Sequence, residues 1–366
     1  MKTYCKGLLI DRDFIERGYG LWLEAPAGKK NAWRVPEEYG SADALLDEIA
    51  SEVEGRSLSF RRFKRYVRHE TSTRKERNIS VASVKYQVVT YALKAALADM
   101  LHDKIGYYQV AGVKGKGQKA AGKALRKWSR ERGYHVKLDV RKCYESITCD
   151  MVMEILVKLV ASADVLYMAE SLLSCFDGGT LEIGTYFALL MALLVLSYAY
   201  HFVEDLHKVR RGERKRLVSH QIWHLDDALL MSPSKRDLKM AVRALSKFMR
   251  DELGLELKAW KVAVNSKREP LDLCGYRSHD GALTLRRRLF LSARRAFSRF
   301  AKRRTMTLAG RCCSYWGWFK NSDSFDFVDR TGAHGTLRAA SKMKSRHDRR
   351  KVGTCITREA QSPSHA

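Results

Sequence analysis

Two segments of this chain end in the same unusual way. Tyr134–Val140 reads YHVKLDV and Ile222–Met231 reads IWHLDDALLM, each a strand-like apolar run that delivers aspartate to a turn. Asp139 closes the first, while Asp226 and Asp227 stand side by side in the second. Acids flanked by Val, Ile, Leu and Met are costly to bury without partners. An exposed turn satisfies one such segment; two of the same character in one chain point to strand ends that collect carboxylates for chemistry.

The residues after the second pair give the clearest local reading. Ser234 is a good N-cap, Leu238, Val242, Leu245 and Met249 line one helical face, and Gly254 terminates it. LELKAWKVAV then returns as a strand. A carboxylate-bearing hairpin, a helix and a strand on the same sheet describe an α+β layer that does not rest on the aspartates alone. Ser41–Val53 also reads as helix, within an N-terminal segment that carries no nameable chemistry.

Further segments follow in a telling order. Arg74-Lys-Glu-Arg77-Asn-Ile79, then Asp139 with Tyr144 five residues on, LEIG at Leu181–Gly184, His224-Leu-Asp226-Asp227, Leu273-Cys-Gly275-Tyr276, and Ser314-Tyr-Trp-Gly-Trp-Phe-Lys-Asn-Ser-Asp323 are collinear from Arg62 to Phe327. This set resembles the successive motifs of a reverse transcriptase, an RNA-directed DNA polymerase. The Ile183-Gly184 pair and the SYWGWFKNSDS phrase are similar to those of bacterial enzymes from diversity-generating retroelements; uncharacterised and phage-defence reverse transcriptases share the general pattern. The helix after Gly184 departs from the diversity-generating type, with Ala188, Leu189 and Leu193 in place of its Ser-Gln and Asn positions.

The resemblance implies an α+β right-hand polymerase. Its parts are an N-terminal extension of the fingers at 1–61, fingers at 62–133, a palm at 134–280 that includes helices over 151–176, a basic helical thumb at 281–328, and a basic disordered tail at 329–366. It implies nucleotidyl transfer of dNTPs onto a primer 3′ hydroxyl by two Mg²⁺ ions, with Mn²⁺ as a substitute, on an RNA template with a DNA or RNA primer. Magnesium keeps several waters and takes one or two carboxylates plus substrate phosphates, so Asp139, Asp226 and Asp227 suffice as catalytic and metal ligands. Tyr144 would lie under the incoming sugar, Arg77 and the weaker candidate Lys75 would neutralise the triphosphate, Ile183 and Gly184 would position the nucleotide, and Lys261 would protonate pyrophosphate. Lys114, Lys116 and Lys119 would contact the template, with Gly275, Tyr276, Arg294, Arg295 and Arg303 on the nucleic acid. An accessory nucleic-acid-binding subunit belongs with the diversity-generating reading. The competing reading is a maturase-like protein that keeps the fold and holds RNA without efficient catalysis.

Composition agrees with a polyanionic partner. The formal charge is +27 and the pI near 9.8, which predicts strong, salt-dependent attraction to phosphate backbones. From Gly281 to Asn321 there is no acid, while arginines recur among Leu, Phe and Ala; a merely solvated face would mix signs. At 366 residues the chain has room for two or three subdomains around a continuous core. The eight cysteines contain no Cys-x-x-Cys pair, and reduced thiols fit a cytoplasmic protein. The N-terminal MKTYCKGLLIDRD meets an acid after too short an apolar stretch for a signal peptide. Ile183–Val203 is uncharged and long enough to span a bilayer, but a span there would put Asp139 and Asp226 on opposite sides, so a buried helix and no stable membrane association are expected. Gly117–Lys123 has P-loop spacing yet ends in Ala124, which has no hydroxyl for magnesium.

Overall fold

The computed structural model describes residues 2–70 and 75–359. The chain opens with helices α1 (Arg12–Glu24), α2 (Pro26–Asn31), α3 (Arg34–Tyr39) and α4 (Ala42–Glu54). Ser41 caps the last, its Oγ accepting from Ala44 N at 3.0 Å. An antiparallel hairpin, β1 (Lys64–Glu70) with β2 (Lys75–Val81), leads to α5 (Val84–Ala96) and α6 (Ala98–Lys104). Helix α1 lies directly on α5, because Gly18 has no Cβ; one built there would stand 2.6 Å from Ala92 Cα. The N-terminal segment therefore shares a core with the rest rather than standing apart.

Next come α7 (Gly117–Trp128), β3 (Tyr134–Asp139), α8 (Cys143–Ser146), α9 (Cys149–Leu159), α10 (Ala163–Leu173) and α11 (Tyr186–Asp205). Gly117–Lys123 lies wholly in α7, and Gly117 N donates to Val110 O at 2.8 Å. Helix α11 is long and apolar enough to cross a membrane, and 72% of that stretch is buried within the protein. It is the central helix of the larger core. A small hairpin of β4 (His207–Arg210) and β5 (Glu213–Arg216) precedes β6 (His220–His224), β7 (Asp227–Ser232), α12 (Lys235–Leu253) and β8 (Val262–Val264). Helix α12 matches its sequence signals: Ser234 Oγ accepts from Asp237 N at 3.2 Å, and Gly254 closes it at φ +56°. The strand expected from LELKAWKVAV is mostly irregular. Its first part crosses the end of β3, with Lys258 N donating to Asp139 O at 2.9 Å, before the short β8 pairs with β3.

The central sheet has the order β6-β7-β3-β8, all neighbours antiparallel. Side chains alternate across a strand, and β7 sorts them into two cores: Ala228 and Leu230 join the larger core with Val136, Leu138 and α11, while Leu229 and Met231 join a second. The second core continues into β9 (Leu271–Leu273), β10 (Tyr276–His279), β11 (Ala282–Leu285), α13 (Arg287–Lys302), α14 (Met306–Phe319), α15 (Asp326–Arg330) and α16 (Ala333–Glu359). The last helix corrects the expectation of disorder from Asp329. Ala333, Leu337 and Ala340 are buried in the second core, a stripe at i, i+4, i+7 that average hydropathy hides.

Candidate active site

Strand pairing places Asp139 opposite Asp227, so the two segments singled out in the sequence meet at one end of the sheet. Asp226 sits in the two-residue turn between β6 and β7, where His224 pairs with Asp227. Leu225, the other turn residue, is held at φ +55°, a left-handed conformation that costs a branched side chain about 1 kcal/mol or more. That turn is tied down by Val140 N donating to Asp226 O at 3.0 Å. The strain is stored where the acids are presented.

The electrostatics of the three differ. Asp226 is partly buried beside Asp227 and Asp139; burial, then the two like charges, push its carboxyl above the usual aspartate range, against the pull of Arg77. Asp139 is ion-paired with the Lys258 ammonium, and Asp227 lies 3.2 Å from Lys137 Nζ. Among the described residues no three His, Cys, Asp or Glu side chains converge as a ready chelate. Two lysines thus provide the positive charge that this strand end demands. All three acids offer hard oxygen donors, the type a divalent magnesium or manganese ion selects, so the donor set fits such an ion once the ammonium groups yield.

Around this centre the structure gathers some expected residues and moves others. Tyr144, on α8, is largely buried, which raises its phenol; Asp226 and Arg77 are its electrostatic neighbours. Arg77 is exposed on β2 and its charge acts on Asp226. The side chain of Lys75, like Arg74, lies outside the described residues. Ile183 O accepts from Ser80 N on β2 at 2.8 Å, and Gly184 sits at φ +123° with Ser80 O where a Cβ would be. The hairpin of β1 and β2 is thereby fastened to the segment before α11. Glu182, which the sequence reading left without a role, completes the clamp: it accepts from Arg65 Nε at 3.0 Å and Nη2 at 2.8 Å, from Asp177 N at 2.6 Å, and from Ser80 Oγ. Burial opposes its charge, and these donors outweigh burial to hold its carboxyl below the usual range.

Lys261 is a correction. Its side chain is 84% exposed and pairs with Glu269 at 3.4 Å, because the irregular segment turns between its crossing of β3 and the start of β8; the lysine at the carboxylates is Lys258. Lys116 is also committed elsewhere, donating to Tyr107 O at 2.6 Å, whereas Lys114 and Lys119 are exposed. Tyr276 is a second correction: it is fully buried in the second core, and burial pushes its phenol up to about 12. Gly275, at φ +85°, is where Trp318 docks; a Cβ there would meet Trp318 Nε1 at 3.0 Å, and the indole donates to Cys274 O at 3.1 Å. The SYWGWFKNSD phrase is thus a docking segment, since Asp323 also accepts from Leu283 N at 2.7 Å and Arg126 at 2.6 Å.

Helices α13 and α14 face the β1 hairpin across a groove of about 1120 Å³. Arg288, Ser292, Arg295 and Arg299 line it in helical steps, with Tyr315 and Trp318 from α14 and Arg68 from β1. Of the arginines singled out, Arg295 is in the lining, while Arg294 and Arg303 are exposed outside it. A 3.6-residue count from Arg288 finds the lining set; counting charge alone does not.

A family model for reverse transcriptases (RNA-dependent DNA polymerases) matches residues 67–278. The chain belongs to the reverse transcriptase family. Its mixed helix and sheet fold, with paired strands ending in Asp139 and Asp227, is the palm and fingers of such an enzyme. A reverse transcriptase is an RNA-directed DNA polymerase, a nucleotidyltransferase that works on template, primer and dNTPs. A search of curated proteins finds no match to this reverse transcriptase.

Proposed function

We propose that this reverse transcriptase extends a primer on an RNA template with Asp139, Asp226 and Asp227 as the carboxylates of a two-metal centre. The observation that carries the reading is the antiparallel register that sets Asp139 beside Asp227 and its neighbour Asp226. Divalent ions held there would supply activation of the primer hydroxyl and positive charge for the leaving phosphates. Asp139 and Asp226 would hold the ions, with Asp227, paired with Lys137, as the less direct ligand. Arg77 faces the triphosphate, the Tyr144 ring lies under the sugar and disfavours a 2′ hydroxyl, and Ile183 and Gly184 fix the strand behind the nucleotide. Lys258 takes the part first given to Lys261, releasing Asp139 and turning to pyrophosphate. The arginine groove between β1 and α13 holds template and primer, with α13 to α16 as thumb and Lys114 and Lys119 on the template backbone.

The Ile183-Gly184 pair and the SYWGWFKNSDS phrase support a diversity-generating or phage-defence system, the former with an accessory subunit. Ala188 and Leu193, two of the departures from the diversity-generating pattern, are core residues, and Leu189 packs against Gly112. The described cysteines are free thiols, which supports a cytoplasmic location. The test is incorporation of labelled dNTPs on a primed RNA template with Mg²⁺. Two lysines on two of the carboxylates favour a second reading, an RNA-holding protein without efficient catalysis; steeply salt-dependent RNA binding with no extension on any template would establish it.

Lys258 offers a separate check. Lys258→Met removes the cation from Asp139, so stability in EDTA falls by at most about 1 kcal/mol, because the two side chains are 42% and 37% exposed. Mn²⁺ binding, read by paramagnetic resonance, tightens about fivefold because no ammonium competes. Unchanged Mn²⁺ affinity would show that Lys258 does not occupy the ion's place.

A further inference from the structure

At the end of the central sheet away from Asp226, the molecule carries a second cationic surface that the polymerase reading does not use. Its core is the β4 and β5 hairpin, HKVRRGERKR over 207–216, with Glu213 its one acid. Nothing in the physics of folding asks for this sequence. A two-stranded hairpin is marginal by itself, and the register sets Lys208 directly opposite Lys215, a like-charge pair that weakens it. The turn is Arg211 at φ +52° and Gly212 at φ +77°, the type I′ geometry that prefers Asn or Gly at the position Arg211 fills. A charged side chain is thus held at the tip at some conformational cost.

The hairpin is fixed in place. Lys208 Nζ is bound to Asp237 Oδ2 at 2.5 Å on α12, so the face bearing Lys208 turns toward the protein. Arg214 and Arg216 share the other face with Val209, which is 70% exposed. Of the nearby acids, Glu213 pairs with Lys215 at 3.1 Å, Glu131 contacts His220 at 2.7 Å, and Asp205 is exposed just before the hairpin. Arg210, which shares the Lys208 face opposite Glu213, and the exposed Arg211 and Arg216 make no ion pair among the described residues. The same end of the sheet receives the turn before β3, the loop after β8 and the start of α12, which add exposed Arg132, Lys267 and Arg236. Cations from four connections converge there in excess over the acids.

We propose that this surface is a second nucleic-acid site, which grips the phosphodiester backbone of a folded RNA segment lying outside the primer-template groove. Arginine dominates it, and planar guanidinium forks suit phosphate. The β3 strand from Tyr134 to Asp139 separates it from the carboxylates by six residues, about 20 Å at 3.4 Å per residue, and none of its residues lines the arginine groove, so a short duplex held along that groove does not depend on it. The inference takes RNA as the partner from the polymerase reading but does not need catalysis.

The test is the full-length variant Arg210→Thr, Arg211→Asn, Arg214→Thr, Arg216→Thr. Threonine suits exposed strands and Asn-Gly suits the turn, so the hairpin keeps its fold, which an unchanged melting temperature verifies. Binding is measured against a 10-base-pair primed duplex and against a 200-nucleotide structured RNA, over a salt series, with primer extension on the short duplex alongside. For the long RNA the expected result is affinity lower by at least about tenfold at 0.15 M salt and a log–log salt slope smaller by about 3. Short-duplex binding and extension stay within about twofold. A second variant, Arg210→Lys, Arg211→Asn, Arg214→Lys, Arg216→Lys, restores much of the affinity. Equal loss for both RNAs, or no loss, overturns the proposal. Loss of retention on immobilised polyglutamate with long-RNA binding intact overturns it too, and assigns the surface to an acidic protein. Absence of extension by the unaltered protein would sink the polymerase reading and leave the long-RNA comparison valid.

Discussion

Asp226→Asn reduces dNTP incorporation on a primed RNA template roughly 1000-fold or more, while RNA binding in the arginine groove stays within about twofold. The substitution keeps volume and hydrogen-bonding capacity and removes one charge, so a loss reports the charge. Asp226 is the acid whose charge is least relieved: it is partly buried, beside two other carboxylates, and no lysine neutralises it as Lys137 and Lys258 do its neighbours. That crowded negative charge, only partly relieved by Arg77, is the electrostatic basis for drawing in a divalent ion. Asp139→Asn is expected to match it, and Asp227→Asn to cost less, about 10- to 100-fold, because Asp227 is the less direct ligand in the proposed centre. Incorporation that survives Asp226→Asn would remove the carboxylate centre from the mechanism.

The raised carboxyl of Asp226 also gives a pH signature with a definite sign. Its folded pKa lies above the unfolded value, so the folded state binds the proton more tightly. Stability of the metal-free protein therefore declines as pH rises from the unfolded value, near 3.9, through the folded one. Asp226→Asn removes that decline. In EDTA the variant melts above the unaltered protein at pH 7, and the difference closes as pH is lowered through that window. A variant equal to or less stable than the unaltered protein at pH 7 would contradict the crowding of charge at this strand end.

Gly184→Ala is expected to lower stability by at least about 3 kcal/mol, a fall in melting temperature of about 6 °C or more. Two independent penalties act. The φ of +123° is one that L side chains rarely adopt, and the added Cβ would fall on Ser80 O, a strand backbone atom that cannot rotate away. Relief requires β2 to move off the segment before α11, breaking the 2.8 Å bond from Ser80 N to Ile183 O. Arg77 lies on that strand, so dNTP incorporation at saturating template falls as well. The readouts are thermal unfolding and the KM for dNTP; an unshifted melting curve would mean that the hairpin is not held there.

Local signals were legible where one residue's chemistry decides. Ser234 and Gly254 bound α12, Ser41 caps α4, and the acids at the ends of β3 and β7 were readable as strand ends because alternation and a following turn are short-range properties. The burial of Ile183–Val203 also followed from its composition, since a long uncharged run needs either lipid or a core, and a core formed on every side of α11. The order of motifs along the chain carried the family.

What the chain's own pattern did not determine was which side chain faces which neighbour. Lys258 and Lys261 are three residues apart and chemically equal; only the crossing of 255–261 over the end of β3 puts one on Asp139 and the other on Glu269. Tyr276 reads as an aromatic near a turn until β10 is packed under α7 and α14, where it becomes core. Glu182 looked like a flank of a helix and is the hub of a four-donor clamp, because Arg65 and Ser80 reach it from strands more than a hundred residues earlier. The tail from Ala333 gained its helix from a small apolar stripe that means little until α14 offers a surface to bury it. Periodicity and caps act over a few residues, whereas pairing of charges and choice of core depend on contacts that only the closed chain creates.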